Sequence, residues 1–238
     1  MPDCWNRYPA CAIVLSRVNP AEFPSECLNP DNIWCQIFAP PQQGEARPAL
    51  FLDRDGVVIE YVRYLHRAAD VVLIPGAADT IAAANRLGVL VVLVTNQAGV
   101  GRGYYGWQEF LDVQGVLLAG LEDIGAHLDG VFACPHHANG TGPYAHPAHP
   151  ARKPRPGMLL RAAGLLGINL DNSWIVGDAS DDLAAGRSAG LRGGVLVMTG
   201  RGVTQRDAAV ALSSPEFEVV VAPSIRNVTG LIPLLADL

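Results

Sequence analysis

The chain has 238 residues, of which 50% are hydrophobic and 17% are charged. This length and composition predict one folded domain with at most an appendage, and they exclude an intrinsically disordered chain. The net charge of −6 argues against sequence-independent binding of nucleic acid, which depends on a basic surface. No segment reaches the roughly 20 consecutive apolar residues that a membrane span needs, so we expect no membrane association.

The first 48 residues differ from the rest because they are rich in proline and hold four of the five cysteines. Prolines disfavour long helices and central strands, yet apolar residues such as Trp5 and Trp34 are too many for a free tail. We therefore predict that residues 1–48 form an extended arm packed on a domain made of residues 49–238. The odd number of cysteines and the lack of a signal peptide predict reduced thiols and a cytoplasmic location.

From Ala49 onwards, short apolar runs alternate with helical patterns. Strands are predicted over 49–53, 89–94, 131–133, 173–177, 194–198 and 218–221. Helices are predicted over 76–88, 107–125 and 156–166, after the strand at 173–177 as far as about Ala189, and from Ser224 onwards. This alternation predicts an α/β fold with an open parallel sheet and helices on both faces. In such sheets, ligands bind at the carboxyl ends of the strands.

Polar side chains follow three of the predicted strands, and a nearby loop adds cations. These residues are Asp53 and Asp55, then Thr95, Asn96 and Gln97, then Asp178 and Asp182, with Arg152 and Lys153 in the loop. Taken alone, each of these groups of residues more often forms a turn, a helix cap or part of the solvent-exposed surface. Carboxylates from several strands in one crevice would repel one another unless a cation joined them, and such hard oxygen ligands suit Mg²⁺.

Four segments resemble, in order, the four motifs of the haloacid-dehalogenase (HAD) phosphatase superfamily: residues 51–58, 94–100, 152–157 and 176–182. The forms DRDG, TNQ-x-G-x-x-RGY and RKPxPG are similar to those of the branch that holds D-glycero-D-manno-heptose-1,7-bisphosphate 7-phosphatases and histidinol-phosphate phosphatases. The resemblance implies a HAD-like Rossmannoid fold. The stretch between the first two motifs is too short for a large cap domain, so we expect an open active site shaped by loops.

The resemblance implies catalytic roles for the aspartates. Asp53 would be the nucleophile that forms an aspartyl-phosphate, and Asp55 would be the general acid and base. Mg²⁺ would be held by the carboxylate of Asp53, the backbone carbonyl of Asp55 and Asp178. Asp182 would support this metal site from behind.

The resemblance also implies which residues bind the substrate. Thr95 and the backbone amide of Asn96 would bind the phosphoryl oxygens, and Lys153 would neutralise Asp53 and the transferring group. Arg152 is a candidate for contact with the rest of the substrate. The other candidates for such contacts are Gln97, His66 and Arg102, and a structural salt bridge is an equal alternative for Arg102.

Many members of this branch carry a zinc loop, with Cys-x-His followed by Cys-x-Cys directly before Arg-Lys-Pro. Here Cys134 and His136 keep the first half, whereas the second half has His149 and the non-ligating Ala151. With His146 as a substitute, Cys134, His136, His146 and His149 would make a chemically acceptable Zn²⁺ site. The alternative, which we favour, is a metal-free loop stiffened by its prolines. In both cases the loop would border the substrate.

The resemblance implies a Mg²⁺-dependent phosphomonoesterase that acts on a small phosphorylated sugar. Heptose 1,7-bisphosphate is the expected substrate, and histidinol phosphate or another small phosphomonoester is the alternative. Heptose-bisphosphate phosphatases often have Lys directly after the first aspartate of the fourth motif, whereas this chain has Ala179. A HAD-like scaffold without turnover would not need the aspartates and Lys153.

We expect the protein to be a monomer.

Overall fold

The computed structural model describes residues 27–38 and 44–236. The strands are β1 (Trp34–Ile37), β2 (Ala49–Leu52), β3 (Leu90–Asn96), β4 (Gly130–Cys134), β5 (Trp174–Gly177), β6 (Gly193–Val197) and β7 (Glu218–Ala222). The α-helices are α1 (Ala77–Arg86), α2 (Ala98–Gly101), α3 (Trp107–Glu122), α4 (Gly157–Leu166), α5 (Ser180–Ala189) and α6 (Gly202–Val210). The strands form one sheet in the order β1-β4-β3-β2-β5-β6-β7. β1 is antiparallel to its neighbour and the other pairs are parallel, which confirms the predicted α/β sheet.

Helices cover both faces of the sheet because alternate residues of each strand point to opposite sides. Leu50 and Leu52 of β2 face a core shared with α1 and α3, whereas Ala49 and Phe51 face a core shared with α4 and α5. Strands buried on both faces are apolar along their whole length, as β2 is. The stretch between β2 and β3 holds only loop segments, the 3₁₀ turn Ala68–Asp70 and α1, so the expectation of no large cap domain is confirmed.

The structure adds elements that the sequence patterns did not predict. β1 lies in the proline-rich segment, at the antiparallel edge of the sheet, where neighbouring prolines are tolerated. α2 has only 4 residues, which is too short to show a helical period. α6 buries only Gly202 and Ala209, so its sequence carries no apolar stripe.

The continuous helix predicted from Ser224 onwards is wrong. The chain there forms two 3₁₀ segments, Ile225–Gly230 and Pro233–Leu235. Pro233 has no N–H to donate, so an α-helix cannot run through it without losing a hydrogen bond. The side chain of Ser224 makes no capping hydrogen bond at this point.

The described part of the N-terminal segment packs on the edge of the sheet. β1 pairs with β4, and Asp31 forms an ion pair with Arg161 of α4, with 2.6 Å between a carboxylate oxygen and Nη2. Residues 1–26 and 39–43 lie outside the described residues. The predicted boundary at residue 48 therefore stays a prediction.

The described cysteines, Cys27, Cys35 and Cys134, are buried and form no disulfide with one another. Burial raises the pKa of Cys35 and of Cys134 to about 12, so both thiols stay protonated at neutral pH. In residues 27–38 and 44–236, no helix has the length and apolar composition that crossing a bilayer requires.

Candidate active site

The topological switch point of the sheet lies at β2. From β2, the chain adds β3 and β4 on one side of the sheet and then β5, β6 and β7 on the other side. β2 lies between β3 on one side and β5 on the other. Crevices at the carboxyl ends of strands beside such a switch point are common ligand sites. Asp53 directly follows β2 and Asp178 directly follows β5, and the N–H of Asp53 donates to the carbonyl of Val176 over 3.0 Å. Parallel pairing thus holds both carboxylates at one edge.

Three buried carboxylates come together at this edge. Asp53, Asp178 and Asp182 each offer an oxygen, and these oxygens lie within 4.8 Å of one another. Burial raises the pKa of Asp178 and the charge of Asp53 raises it further, although Arg201 opposes the shift. Buried carboxylates so close together are stable only when cations lie beside them. Hard oxygen donors in this arrangement suit Mg²⁺.

Lys153 supplies one of these cations. Its Nζ lies 3.0 Å from Oδ1 of Asp53 and 2.6 Å from Oδ1 of Asp182, and it donates to the carbonyl of Val94 over 2.8 Å. These partners use all three donors of the ammonium group. Burial alone would lower the pKa of Lys153, but the charges of Asp182 and Asp53 raise it above its ordinary value. The lysine therefore stays positively charged.

Asn96 anchors the loop that carries Lys153. Its side-chain Nδ2 donates to the carbonyl of Lys153 over 3.0 Å, and its Oδ1 accepts the N–H of Lys153 over 3.1 Å. The two bonds join the end of β3 to the loop before α4. The side chain of Asn96 thus fixes where Lys153 stands, a contribution separate from that of its backbone amide.

Asp182 connects Lys153 to the first turn of α5. Its Oδ2 accepts the N–H of Ala179 over 3.0 Å, which satisfies a donor at the start of the helix. Burial raises the pKa of Asp182, although the ion pair with Lys153 opposes this shift. One oxygen of the carboxylate thus contacts Lys153 and the other contacts Ala179.

Asp55 is held by Arg54 and Gln97. Nε of Arg54 donates to Oδ2 of Asp55 over 3.1 Å, and Nε2 of Gln97 donates to the same oxygen over 3.2 Å. Gln97 also donates to Oγ1 of Thr95 over 2.8 Å and accepts from the hydroxyl of Tyr105 over 2.6 Å. Because Thr95 accepts in this network, its own proton remains available to an oxygen in the cavity.

Two glycines let the neighbouring loops approach Asp178. Gly56 has φ +88° and Gly200 has φ +55°, both in the left-handed region. A Cβ on Gly56 would lie 2.5 Å from Oδ2 of Asp178, and a Cβ on Gly200 would also clash with this oxygen. Thr199 donates from Oγ1 to the carbonyl of Gly56 over 2.6 Å, which ties the two loops together.

Sequence reasoning missed two arginines, Arg54 and Arg201. Arg54 is buried, and its guanidinium lies over the ring of Phe110, 5.3 Å from the centroid. Its place inside the DRDG segment was the signal that could have identified it. Arg201 lies between β6 and α6, outside every motif, and its Nη2 is 3.1 Å from Oδ1 of Asp178. No pattern in the sequence marks this contact.

A cavity of about 210 Å³ lies over these residues. Its lining includes Asp53, Asp55, Thr95, Asn96, Gln97, Arg152, Lys153, Asp182 and Arg201. Arg152 is held by a hydrogen bond from Nη1 to the carbonyl of His136, over 3.0 Å. Arg102 does not line the cavity. Its Nη1 donates to the hydroxyl of Tyr64 over 2.7 Å, and its guanidinium lies 5.0 Å from the centroid of the Tyr104 ring.

The candidate zinc loop borders Arg152. The rings of His136 and His149 stack with centroids 3.8 Å apart, and the ring of His146 lies 5.1 Å from that of His149. Nε2 of His136 donates to the carbonyl of Asp31 over 2.8 Å. In the described part of the chain, only the aspartate cluster brings three ligand atoms within 4.8 Å. The zinc site and the metal-free loop both stay predictions.

Comparison with known proteins places this geometry in a family. Residues 150–227 match the HAD-hydrolase-like family. The chain is 49% identical over 150 residues to the D-glycero-β-D-manno-heptose-1,7-bisphosphate 7-phosphatase of Mesorhizobium japonicum, which covers 63% of this chain and 69% of the relative. It is 40% identical over 184 residues to the Vibrio cholerae protein of the same name, which covers 77% and 95%.

A solved structure agrees with these relatives. The D,D-heptose 1,7-bisphosphate phosphatase of B. bronchiseptica, in complex with magnesium and phosphate, matches with a TM-score of 0.65 and 30% identity. The match covers 76% of this chain and 95% of that one. The chain therefore belongs to the HAD-like phosphatases, a family of phosphoric monoester hydrolases, together with the D-glycero-β-D-manno-heptose-1,7-bisphosphate 7-phosphatases.

Proposed function

We propose that the chain removes the 7-phosphate from D-glycero-β-D-manno-heptose 1,7-bisphosphate. The names of its relatives support this substrate. The observation that carries the chemistry is the buried nucleophile candidate Asp53, with Lys153 at 3.0 Å and Asp178 close by, at the edge of a cavity. Such a site suits transfer of a phosphoryl group because charge stabilisation is most of what this reaction needs.

Mg²⁺ is the proposed cofactor. Its ligands would be the carboxylates of Asp53 and Asp178 and the backbone carbonyl of Asp55. The fit rests on the hard oxygen donors of the cluster and on Gly56, where any side chain would fill the space beside Asp178. When bound, the ion supplies the positive charge that lets an anionic carboxylate approach a phosphate dianion.

In the first step, a carboxylate oxygen of Asp53 attacks the phosphorus of the 7-phosphate. A bond forms between this oxygen and phosphorus while the bond from phosphorus to the sugar oxygen breaks, which gives an aspartyl-phosphate. The sugar leaves as an alkoxide and takes a proton from Asp55. Arg54 and Gln97 hold Asp55 in place for this transfer.

In the second step, water attacks the phosphorus of the aspartyl-phosphate. Asp55, now deprotonated, takes a proton from the water, and the bond between phosphorus and the Asp53 oxygen breaks. Inorganic phosphate leaves and both aspartates return to their starting states. One residue thus serves as acid in the first step and as base in the second.

The remaining oxygens of the transferring phosphoryl group must accept hydrogen bonds from the protein. Lys153 is pinned by Val94, Asp53 and Asp182, so its charge is in position before the reaction starts. The buried hydroxyl of Thr95 lines the cavity and has a proton to donate. The backbone amide of Asn96 completes the proposed cradle.

A substrate panel tests the proposal. Phosphate release is measured on the β and α anomers of heptose 1,7-bisphosphate, on histidinol phosphate and on fructose 1,6-bisphosphate, with Mg²⁺ and with a chelator. We expect Mg²⁺-dependent release with the highest kcat/KM on the β anomer. A preference for histidinol phosphate would overturn the substrate assignment. Release that is independent of Mg²⁺ would overturn the cofactor assignment.

We also propose that the protein works in the cytoplasm. The buried thiols Cys35 and Cys134 form no disulfide with another described residue. Reducing compartments keep such thiols in this state. Fractionation of the cells that make the protein would place it in the soluble cytoplasmic fraction.

A further inference from the structure

Arg201 closes the solvent side of Asp178. Its backbone N–H donates to Oδ2 over 2.9 Å, and its Nη2 lies 3.1 Å from Oδ1. The side chain of Asp178 is fully buried, whereas that of Arg201 is 46% exposed and lies 5.9 Å from the centroid of the Tyr61 ring. The guanidinium is thus a partly solvent-exposed partner of a fully buried carboxylate.

The guanidinium and a divalent cation compete for the same carboxylate. Both oxygens of Asp178 accept hydrogen bonds from Arg201, so a metal ion that binds Asp178 would lie directly beside the guanidinium. With Lys153 already beside Asp53, a further divalent charge next to the guanidinium would place like charges together. Departure of the guanidinium removes this repulsion, and the backbone hydrogen bond can stay.

The rim of the cavity suits a second anionic group. Arg63 and Arg152 line the cavity together with Arg201. Arg63 lies on the ring of Tyr64, 5.2 Å from the centroid, and forms no ion pair with a described carboxylate. Lys153 is committed to Asp53 and Asp182 deeper in the site. The rim therefore holds positive charge that the reacting phosphate does not use, and guanidinium groups bind phosphate through paired N–H donors.

We propose that Arg201 is a displaceable counter-ion of the metal site. In the metal-free protein it neutralises Asp178, and when Mg²⁺ binds it turns into the cavity, where it binds the second phosphate of a bisphosphate substrate. The second half of this inference rests on the proposed function. The role makes Arg201 a residue that distinguishes bisphosphates from monophosphates.

Mg²⁺ binding tests the first half without any turnover. Isothermal titration calorimetry with MgCl₂ compares the wild type with Arg201→Gln, which removes the charge and keeps a polar side chain. We expect the variant to bind Mg²⁺ about fivefold more tightly, because a competing ion pair is gone. Arg206→Gln, an exposed change on α6, is the control for loss of one positive charge and should not alter the Kd. An unchanged Kd in Arg201→Gln would overturn the competition.

Steady-state kinetics at saturating Mg²⁺ test the second half. We expect Arg201→Gln to raise the KM for heptose 1,7-bisphosphate about tenfold, with little change in kcat. The KM for p-nitrophenyl phosphate, which has no second phosphate, should rise far less. Arg201→Lys should recover part of the loss because it restores the charge. Equal changes in both KM values, or no change in either, would overturn the contact.

The two failures can be told apart. If the wild type does not prefer heptose 1,7-bisphosphate to p-nitrophenyl phosphate, the proposed substrate is wrong, and the Mg²⁺ titration still decides whether Arg201 competes with the metal. If the wild type prefers the bisphosphate and Arg201→Gln keeps that preference in full, the role of Arg201 is wrong and the proposed function stands.

Discussion

Nζ of Lys153 lies 3.0 Å from Oδ1 of Asp53, and both side chains are almost completely buried. An ion pair in such a place is strong only if its partners are held in position, and the carbonyl of Val94 and the carboxylate of Asp182 hold the lysine. The nucleophile candidate therefore carries a fixed positive charge beside it before any substrate arrives. Fixed charges of this kind need no rearrangement during the reaction.

Lys153→Met should abolish most activity. The change removes the charge that faces the transferring group, and loss of one such contact typically lowers kcat by about 10²–10³-fold. It also leaves Asp53 and Asp182 buried without their partner, which should lower the free energy of unfolding by about 3–5 kcal/mol. Steady-state kinetics and urea denaturation measure the two effects.

A second substitution separates these effects. Asp182→Asn in the Lys153→Met background removes one of the unpaired charges, so we expect stability to recover in part while activity stays low. If activity returned together with stability, Lys153 would be structural only, and its proposed part in the reaction would be wrong.

Gly56→Ala should inactivate the enzyme, whereas Gly88→Ala should not. Both glycines have positive φ, so alanine adds a similar backbone strain of about 1–2 kcal/mol in each case. Only at Gly56 would the new Cβ lie 2.5 Å from Asp178, while at Gly88 it would meet nothing within 4 Å. Displacement of Asp178 should cost about 10²-fold in kcat/KM and weaken Mg²⁺ binding. Equal activity of the two variants would contradict the proposal that the absence of a side chain at Gly56 keeps Asp178 in position.

Asp31→Asn should destabilise the protein at neutral pH and have no effect in strong acid. Burial would raise the pKa of Asp31, but the hydrogen bonds and charge of Arg161 lower it below its ordinary value. The ion pair therefore contributes fully above pH 3.8, the ordinary pKa of an aspartate, and is lost as the pH falls through the lower pKa of the folded protein.

Urea denaturation from pH 7 to pH 2 measures this dependence. We expect Asp31→Asn to lower the free energy of unfolding by about 1–2 kcal/mol at pH 7, with the difference closing below the folded-state pKa. Asp70→Asn, which breaks an exposed ion pair with Arg67, is the control and should change little. A difference that persists unchanged to pH 2 would show that Arg161 is not the cause.

The sequence predicted the part of the fold that apolar runs determine. β2 is an uninterrupted apolar segment followed by polar residues, and β3 is apolar up to Val94 and ends in Thr95 and Asn96, so both their existence and their functional ends could be inferred. β1 could not, because the prolines around it mask a strand that is tolerated only at a sheet edge. The two 3₁₀ segments after Ser224 were not predicted, because the spacing of the apolar residues there resembles that of a helix.

The contacts of the site were predictable only where a motif marks them. Lys153 and Asp182 stand in motifs, but their 2.6 Å contact depends on how the loop before α4 meets the start of α5. Arg201 has no marker, because its contact with Asp178 arises from the loop after β6 folding over Gly56. Arg102 was a substrate candidate by its place in a motif, yet its side chain packs on Tyr64 outside the cavity lining.

Trapping the phosphoryl group on Asp53 tests the proposed aspartyl-phosphate intermediate. Wild-type protein is mixed with heptose 1,7-bisphosphate and Mg²⁺, quenched in acid within milliseconds, digested and analysed by mass spectrometry, with Asp53→Asn as the control. We predict one added phosphoryl group on the peptide that contains Asp53, and neither label nor phosphate release in the variant. A phosphoryl group on another residue, or phosphate release that survives in Asp53→Asn, would exclude Asp53 as the nucleophile.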